Sequence, residues 1–147
     1  MRLTLIAAVA ILGIACGSSP SSPSDDGPTD LVLSNFRVSS SGHFAGTGPI
    51  YSLCGNITVA QSVTETVVLH DLVLTIRDAS GQTLLTWSDP TIFTRLDGGG
   101  LFGCFGAPTD PDPTHGLGST FVARITYSRV TGPSRVIEAS GSITGSP

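Results

Sequence analysis

From Leu31 onward the chain alternates apolar and polar residues in short runs, and each run ends in Gly, Pro, Ser or Asp. A period of two is the mark of a strand with one buried face. Leu31–Val38 reads as a first strand and Tyr51–Ala60 as a second, with Tyr51, Leu53, Ile57 and Val59 recurring on one side. Val67–Asp78 carries the strongest pattern: Leu72, Leu74 and Ile76 face one way, Thr75 and Arg77 the other. Asp78-Ala-Ser-Gly81 supplies a hairpin turn, and Gln82–Trp87 returns as its second arm. Thr91–Leu96 is a further short strand. In Ser119–Ser128, Phe121, Ala123, Ile125 and Tyr127 alternate with Thr120, Arg124, Thr126 and Ser128. The last strand, Arg135–Thr144, places Ile137, Ala139 and Ile143 together.

No helical period occurs, and no repeat of fixed length. About seven strands in roughly 115 residues predict an all-β fold, an antiparallel β-sandwich of two packed sheets. The segment from Asp97 to Leu117, with six Gly and three Pro, is expected to be mainly loop.

The beginning of the chain follows other rules. Arg2 is followed by an unbroken stretch of apolar and small residues from Leu3 to Ala15. That stretch is shorter than the roughly 20 residues needed to span a bilayer, and it has the form of an export signal. Gly13-Ile14-Ala15-Cys16 resembles the lipobox of bacterial lipoproteins, in which a small residue precedes the Cys that becomes the lipidated N-terminus. Gly13 departs from that pattern, because an aliphatic residue is usual at its place. The resemblance implies a signal peptide over residues 1–15 and lipidation of Cys16 by palmitate or a similar acyl chain. Residues 16–30, from Cys16 through Gly17-Ser-Ser-Pro-Ser-Ser-Pro to Asp30, hold almost no apolar side chain. Such a segment cannot offset the entropy of ordering and reads as a disordered tether. The globular domain then covers residues 31–147. Gly17 after the Cys resembles the default outer-membrane sorting class. The expected location is the cell envelope, lipid-anchored, facing the periplasm or the surface.

Composition adds two exclusions and one pairing. The net charge is −4, with seven Arg and no Lys, and the Arg are scattered singly, so no basic patch for nucleic acid forms. The charged fraction is only 12%. There are three Cys, and if Cys16 carries lipid, Cys54 and Cys104 remain as a pair. Export makes their oxidation available, and a bridge across about 50 residues contributes on the order of 4 kcal/mol through loop closure. Two free thiols are the alternative. Cys54 is out of phase with Leu53 and Ile57, which places a bond on the outer face or edge of a sheet rather than in the core.

Cys54-Gly-Asn-Ile-Thr-Val59, followed by Leu72-Val-Leu-Thr-Ile-Arg-Asp-Ala-Ser-Gly81, resembles bacterial immunoglobulin-like and FxLYD-type domains. Gly116-Leu-Gly-Ser-Thr-Phe121 is similar to their later Gly-led strand. The resemblance implies an immunoglobulin-like sandwich and an envelope or adhesion module without chemistry of its own. The Cys-Trp-Cys core of antibody domains is absent, since Trp87 has the wrong spacing.

Candidate chemistry is sparse. Asp110, Asp112 and His115 are the one metal-like cluster, but Pro111 and Pro113 are expected to hold the carboxylates apart, leaving a solvated acidic turn. His43 and His70 stand alone; His70 is in phase with Leu72 and reads as a strand residue with a satisfied ring. No Gly-x-Ser-x-Gly elbow and no phosphate loop occur, and Glu65 and Glu138 are the only Glu. Leu101, Phe102 and Phe105 sit among glycines around Cys104, either plugging the sandwich or offering an apolar patch to a partner. The expected role is a non-enzymatic structural or interaction module without a cofactor, bound to the membrane by its lipid and to an envelope protein partner. The alternative is binding of a small ligand, carbohydrate or calcium through the loops at 97–117.

Overall fold

The computed structural model describes residues 29–42, 46–92 and 94–145. The expected signal peptide, Cys16, most of the tether and His43 lie outside the described residues. Among the described residues nine strands form: β1 (Leu31–Ser41), β2 (Ile50–Val59), β3 (Val67–Arg77), β4 (Thr83–Asp89), β5 (Thr94–Leu96), β6 (Gly100–Gly106), β7 (Thr120–Arg129), β8 (Arg135–Ser142) and β9 (Thr144–Gly145). A single 3-10 turn, Pro90–Ile92, joins β4 to β5. Among the described residues no helix is long and apolar enough to cross a membrane.

The strands build two sheets. One has the order β6-β2-β1-β9; the other has the order β4-β3-β7-β8, with β5 also pairing with β3. This arrangement, with the first, second and sixth strands facing the third, seventh and eighth, is the two-sheet scheme of immunoglobulin-type sandwiches. The all-β sandwich expected from alternation is therefore the fold. It holds nine strands rather than about seven, and the β1–β9 pair is parallel in an otherwise antiparallel structure. The segment expected to be loop contains β6, which pairs with β2 from Gly106 to Gly100.

The core lies where the alternation put it. Leu72, Leu74 and Ile76 of β3 and Phe121, Ala123, Ile125 and Tyr127 of β7 are buried against Tyr51, Leu53 and Ile57 of β2 and Leu31 and Val38 of β1. Nearly all of these side chains are fully withdrawn from water, at about 25 cal/mol for each Å² of apolar surface. The Asp78 turn forms as its residues require. Gly81 has φ 86°, and Asp78 Oδ1 accepts the amides of Ser80 and Gln82 at 2.8 and 2.9 Å.

Two bulges shape the first sheet. Asn35 and Phe36 of β1 oppose the single residue Gly55, and Phe105 is the extra residue of β6 beside Leu53 and Cys54. Asn35 takes φ 56°, a left-handed conformation that Asn tolerates better than most side chains. The bulges bring Phe36 and Phe105 together, with ring centroids 5.8 Å apart and planes 18° from parallel. A Cβ on Gly55 would stand 2.6 Å from the Phe36 ring, so the aromatic pair occupies the space glycine leaves. Trp87 of the other sheet lies against Gly106 in the same way.

Candidate functional site

Three local arrangements carry the polar and sulfur chemistry of the described domain, at the β6 edge and at the two ends of the sandwich.

At the edge, Cys54 and Cys104 face each other in register across β2 and β6 and are joined, with an S–S distance of 1.98 Å and Cα atoms 3.9 Å apart. The bond lies on the outer face, as the phase of Cys54 required, and links an edge strand to its neighbour rather than one sheet to the other. It holds the glycine-rich β6 on β2. The three apolar residues around it divide. Leu101 and Phe105 pack against the core, while Phe102 is 65% exposed. The Phe102 ring lies along the outer face over Gly100, beside the Thr58 methyl group. The nearby Val32 is also exposed.

At the end where β2 begins, Asp110 and Asp112 flank the His115 ring, each against a different nitrogen, so the carboxylates stand apart as the two prolines led one to expect. Each Asp turns the chain by accepting an amide two residues on: Asp112 N–H donates to Asp110 Oδ1, and Thr114 N–H to Asp112 Oδ1, both at 2.9 Å. These turns bend the Pro-containing segment back so that His115 Nδ1 lies 2.8 Å from Asp110 Oδ2 and Nε2 lies 3.4 Å from Asp112 Oδ2. The turn is not the solvated one expected, because Asp110 is completely buried. Its main chain continues the β2 ladder: Asp110 N–H donates to Pro49 O at 2.8 Å, and Gly48 N–H donates to Asp110 O at 2.9 Å. Tyr51 stands close by, its hydroxyl accepting the buried Gly118 N–H at 2.9 Å. Burial pushes the Tyr51 phenol up, with the Asp110 carboxylate adding to the effect. The two carboxylates are used on His115 and on turn amides, and among the described residues no group of three His, Cys, Asp or Glu is set to hold a metal ion.

At the opposite end, the sequence reading missed an ion cluster. Asp30 is completely buried and binds two guanidinium groups: Arg129 Nη2 at 2.6 Å and Arg135 Nη1 at 3.1 Å. Glu65 lies 3.7 Å from Arg129, and the charge of Asp30 joins burial in raising the Tyr127 phenol. The Asp30 carbonyl accepts the Ala60 amide, so the residue is tied by main chain as well. Composition had assigned Asp30 to the tether. The only available signal was a buried-strand pattern starting directly after it. A second unforeseen contact lies on β3, where His70 Nε2 and Ser128 Oγ are 2.8 Å apart, which gives His70 the satisfied ring expected of it.

No family model matches the chain, and no curated protein matches it. Among solved structures it is similar to the β-glucuronidase of Parabacteroides merdae, with 8% identity and a TM-score of 0.45 over 78% of this chain. The likeness spans 14% of the length of that enzyme.

Proposed function

We propose that this chain is a lipid-anchored protein of the bacterial cell envelope. Its immunoglobulin-like sandwich serves as a structural or interaction module rather than as an enzyme. The observation that carries the reading is the Cys54–Cys104 bond. Disulfides persist in exported proteins, so the pairing favours passage across the membrane. It also uses two of the three Cys and leaves Cys16, the one preceded by a lipobox-like motif, for acylation. The buried Asp30 fits the same plan, because it holds the sandwich directly after the Ser- and Pro-rich segment of the sequence. The outer face around Phe102 is the surface this reading offers to an envelope protein partner.

The test is metabolic labelling. Cells expressing the full chain with radiolabelled palmitate are expected to label it and to hold it in the membrane fraction, and Cys16→Ser to abolish both. Equal labelling of the Ser variant overturns the proposal.

A further inference from the structure

His115 has a carboxylate oxygen facing each of its ring nitrogens, Asp110 Oδ2 at Nδ1 and Asp112 Oδ2 at Nε2. A neutral imidazole carries one N–H and can donate to only one of them. The imidazolium donates to Asp110 and sets its charge against Asp112 as an ion pair at 3.4 Å. We propose that His115 is a proton-operated latch, closing the Asp110–His115 turn onto the start of β2 when its ring is doubly protonated and releasing the Asp112 side when it is neutral.

The order of release follows from burial. Asp110 is wholly buried, and it lies the shorter distance from the ring, so the neutral tautomer keeps its proton on Nδ1. The Nε2 lone pair then faces the Asp112 carboxylate, and attraction becomes repulsion. Asp112 matters to the neighbouring connection because its carbonyl packs directly on Gly48, where an added Cβ would stand 2.5 Å from it. Gly48 in turn donates its amide to Asp110 O. Loosening Asp112 from the ring therefore leaves the turn held on that side only by its own turn hydrogen bonds, while Asp110 stays held by the β2 ladder.

The groups that face the latch are few. On its own segment they are Asp110 and Asp112; from β2 it is Tyr51, whose phenol is held neutral by burial and by Asp110. The Asp110 hydrogen bond chiefly, with the charges of both Asp, raises the His115 ring above the ordinary histidine range against the opposing effect of burial. The Thr114 hydroxyl and amide, with His115, lower the Asp112 carboxyl. For the raised histidine, the contribution is complete below its ordinary value and is lost as pH rises through the folded value. For the lowered Asp112, the contribution is present above the ordinary carboxylate range and is lost as pH falls through the folded value. The latch is closed between these limits and opens on the alkaline side. This inference does not rest on the lipid anchor.

The experiment is nuclear magnetic resonance of the 15N-labelled full chain across roughly pH 5–9, the range that brackets histidine titration. The His115 ring should titrate above the usual histidine range. Through that titration the Asp112, Thr114 and His115 amides should exchange about tenfold faster than intrinsic base catalysis explains, while the β3 and β7 amides do not. Asp112→Asn, at a half-exposed carboxylate, should keep the fold, bring the titration back toward the ordinary value and remove the exchange step. His115→Gln should remove the step as well. A His115 ring that titrates at or below the ordinary histidine value, or amide protection unchanged through its titration, overturns the proposal.

Discussion

Arg129 grips the buried carboxylate of Asp30 through two nitrogens, Nη2 at 2.6 Å and Nε at 3.1 Å, although the residues lie 99 positions apart. The contact ties the segment just before β1 to the end of β7, and Arg135 extends it to β8. Asp30 thus anchors the start of β1 by charge rather than by apolar burial.

Asp30→Ala removes the acceptor from beneath two guanidinium groups. Loss of one partner of a fully buried pair costs about 3–5 kcal/mol, and the partial exposure of both Arg reduces this to about 2–3 kcal/mol. Urea unfolding of the variant is expected to show that loss with an unchanged slope. A loss below about 0.5 kcal/mol would make the cluster ornamental.

Gly55→Ala places a methyl group against the Phe36 ring, which is already stacked on Phe105. Overpacking of this kind costs about 1–3 kcal/mol. Gly99→Ala, where an added Cβ meets nothing within 4 Å, is the matched control and should change stability by less than about 0.5 kcal/mol. Thermal melts of the two variants separate the cases.

Cys54→Ser combined with Cys104→Ser is expected to cost about 2–4 kcal/mol, somewhat below the full loop-closure value because β6 remains paired with β2. The effect is local as well as global. Hydrogen exchange should accelerate first in Gly100–Gly106 and only later in β3 and β7. Uniform loss of protection would mean that the bond does not serve mainly to hold the edge strand.

Phe102→Ser and Phe105→Ser test how the apolar trio divides. Phe102 lies on the outer face and should be replaced at a cost below about 1 kcal/mol, whereas Phe105 loses its stack on Phe36 and should cost about 2 kcal/mol. Equal costs, read from urea unfolding, would contradict the assignment of Phe102 to the free surface.

The strands legible in the sequence were those whose own residues specify them. In β3 and β7, apolar residues at every second position, as in Leu72, Leu74 and Ile76 or Phe121, Ala123, Ile125 and Tyr127, fix both strand and inward face, and the structure buries these side chains. β6 was hidden because three of its seven residues are glycine, which has poor strand propensity. Its conformation comes from β2, from the bulge at Phe105 and from the Cys54–Cys104 bond. The outer-face position of that bond was readable from phase alone. The seating of His115 between the two carboxylates was not legible, because it depends on local turn geometry rather than on residue type. The two Asp-capped turns reverse the chain there. Asp30 left no trace in the sequence beyond the strand pattern that starts directly after it, since its two Arg partners come from the far end of the chain.

The central claim, a sandwich exported and held to the envelope by lipid on Cys16, is tested most directly by intact-mass and N-terminal peptide analysis of the protein purified from membranes. The account predicts a mature chain beginning at Cys16, heavier than its peptide mass by the acyl and glyceryl groups, with Cys54 and Cys104 recovered as one cross-linked peptide. A chain that begins elsewhere, or a Cys16 with a free thiol, would contradict it.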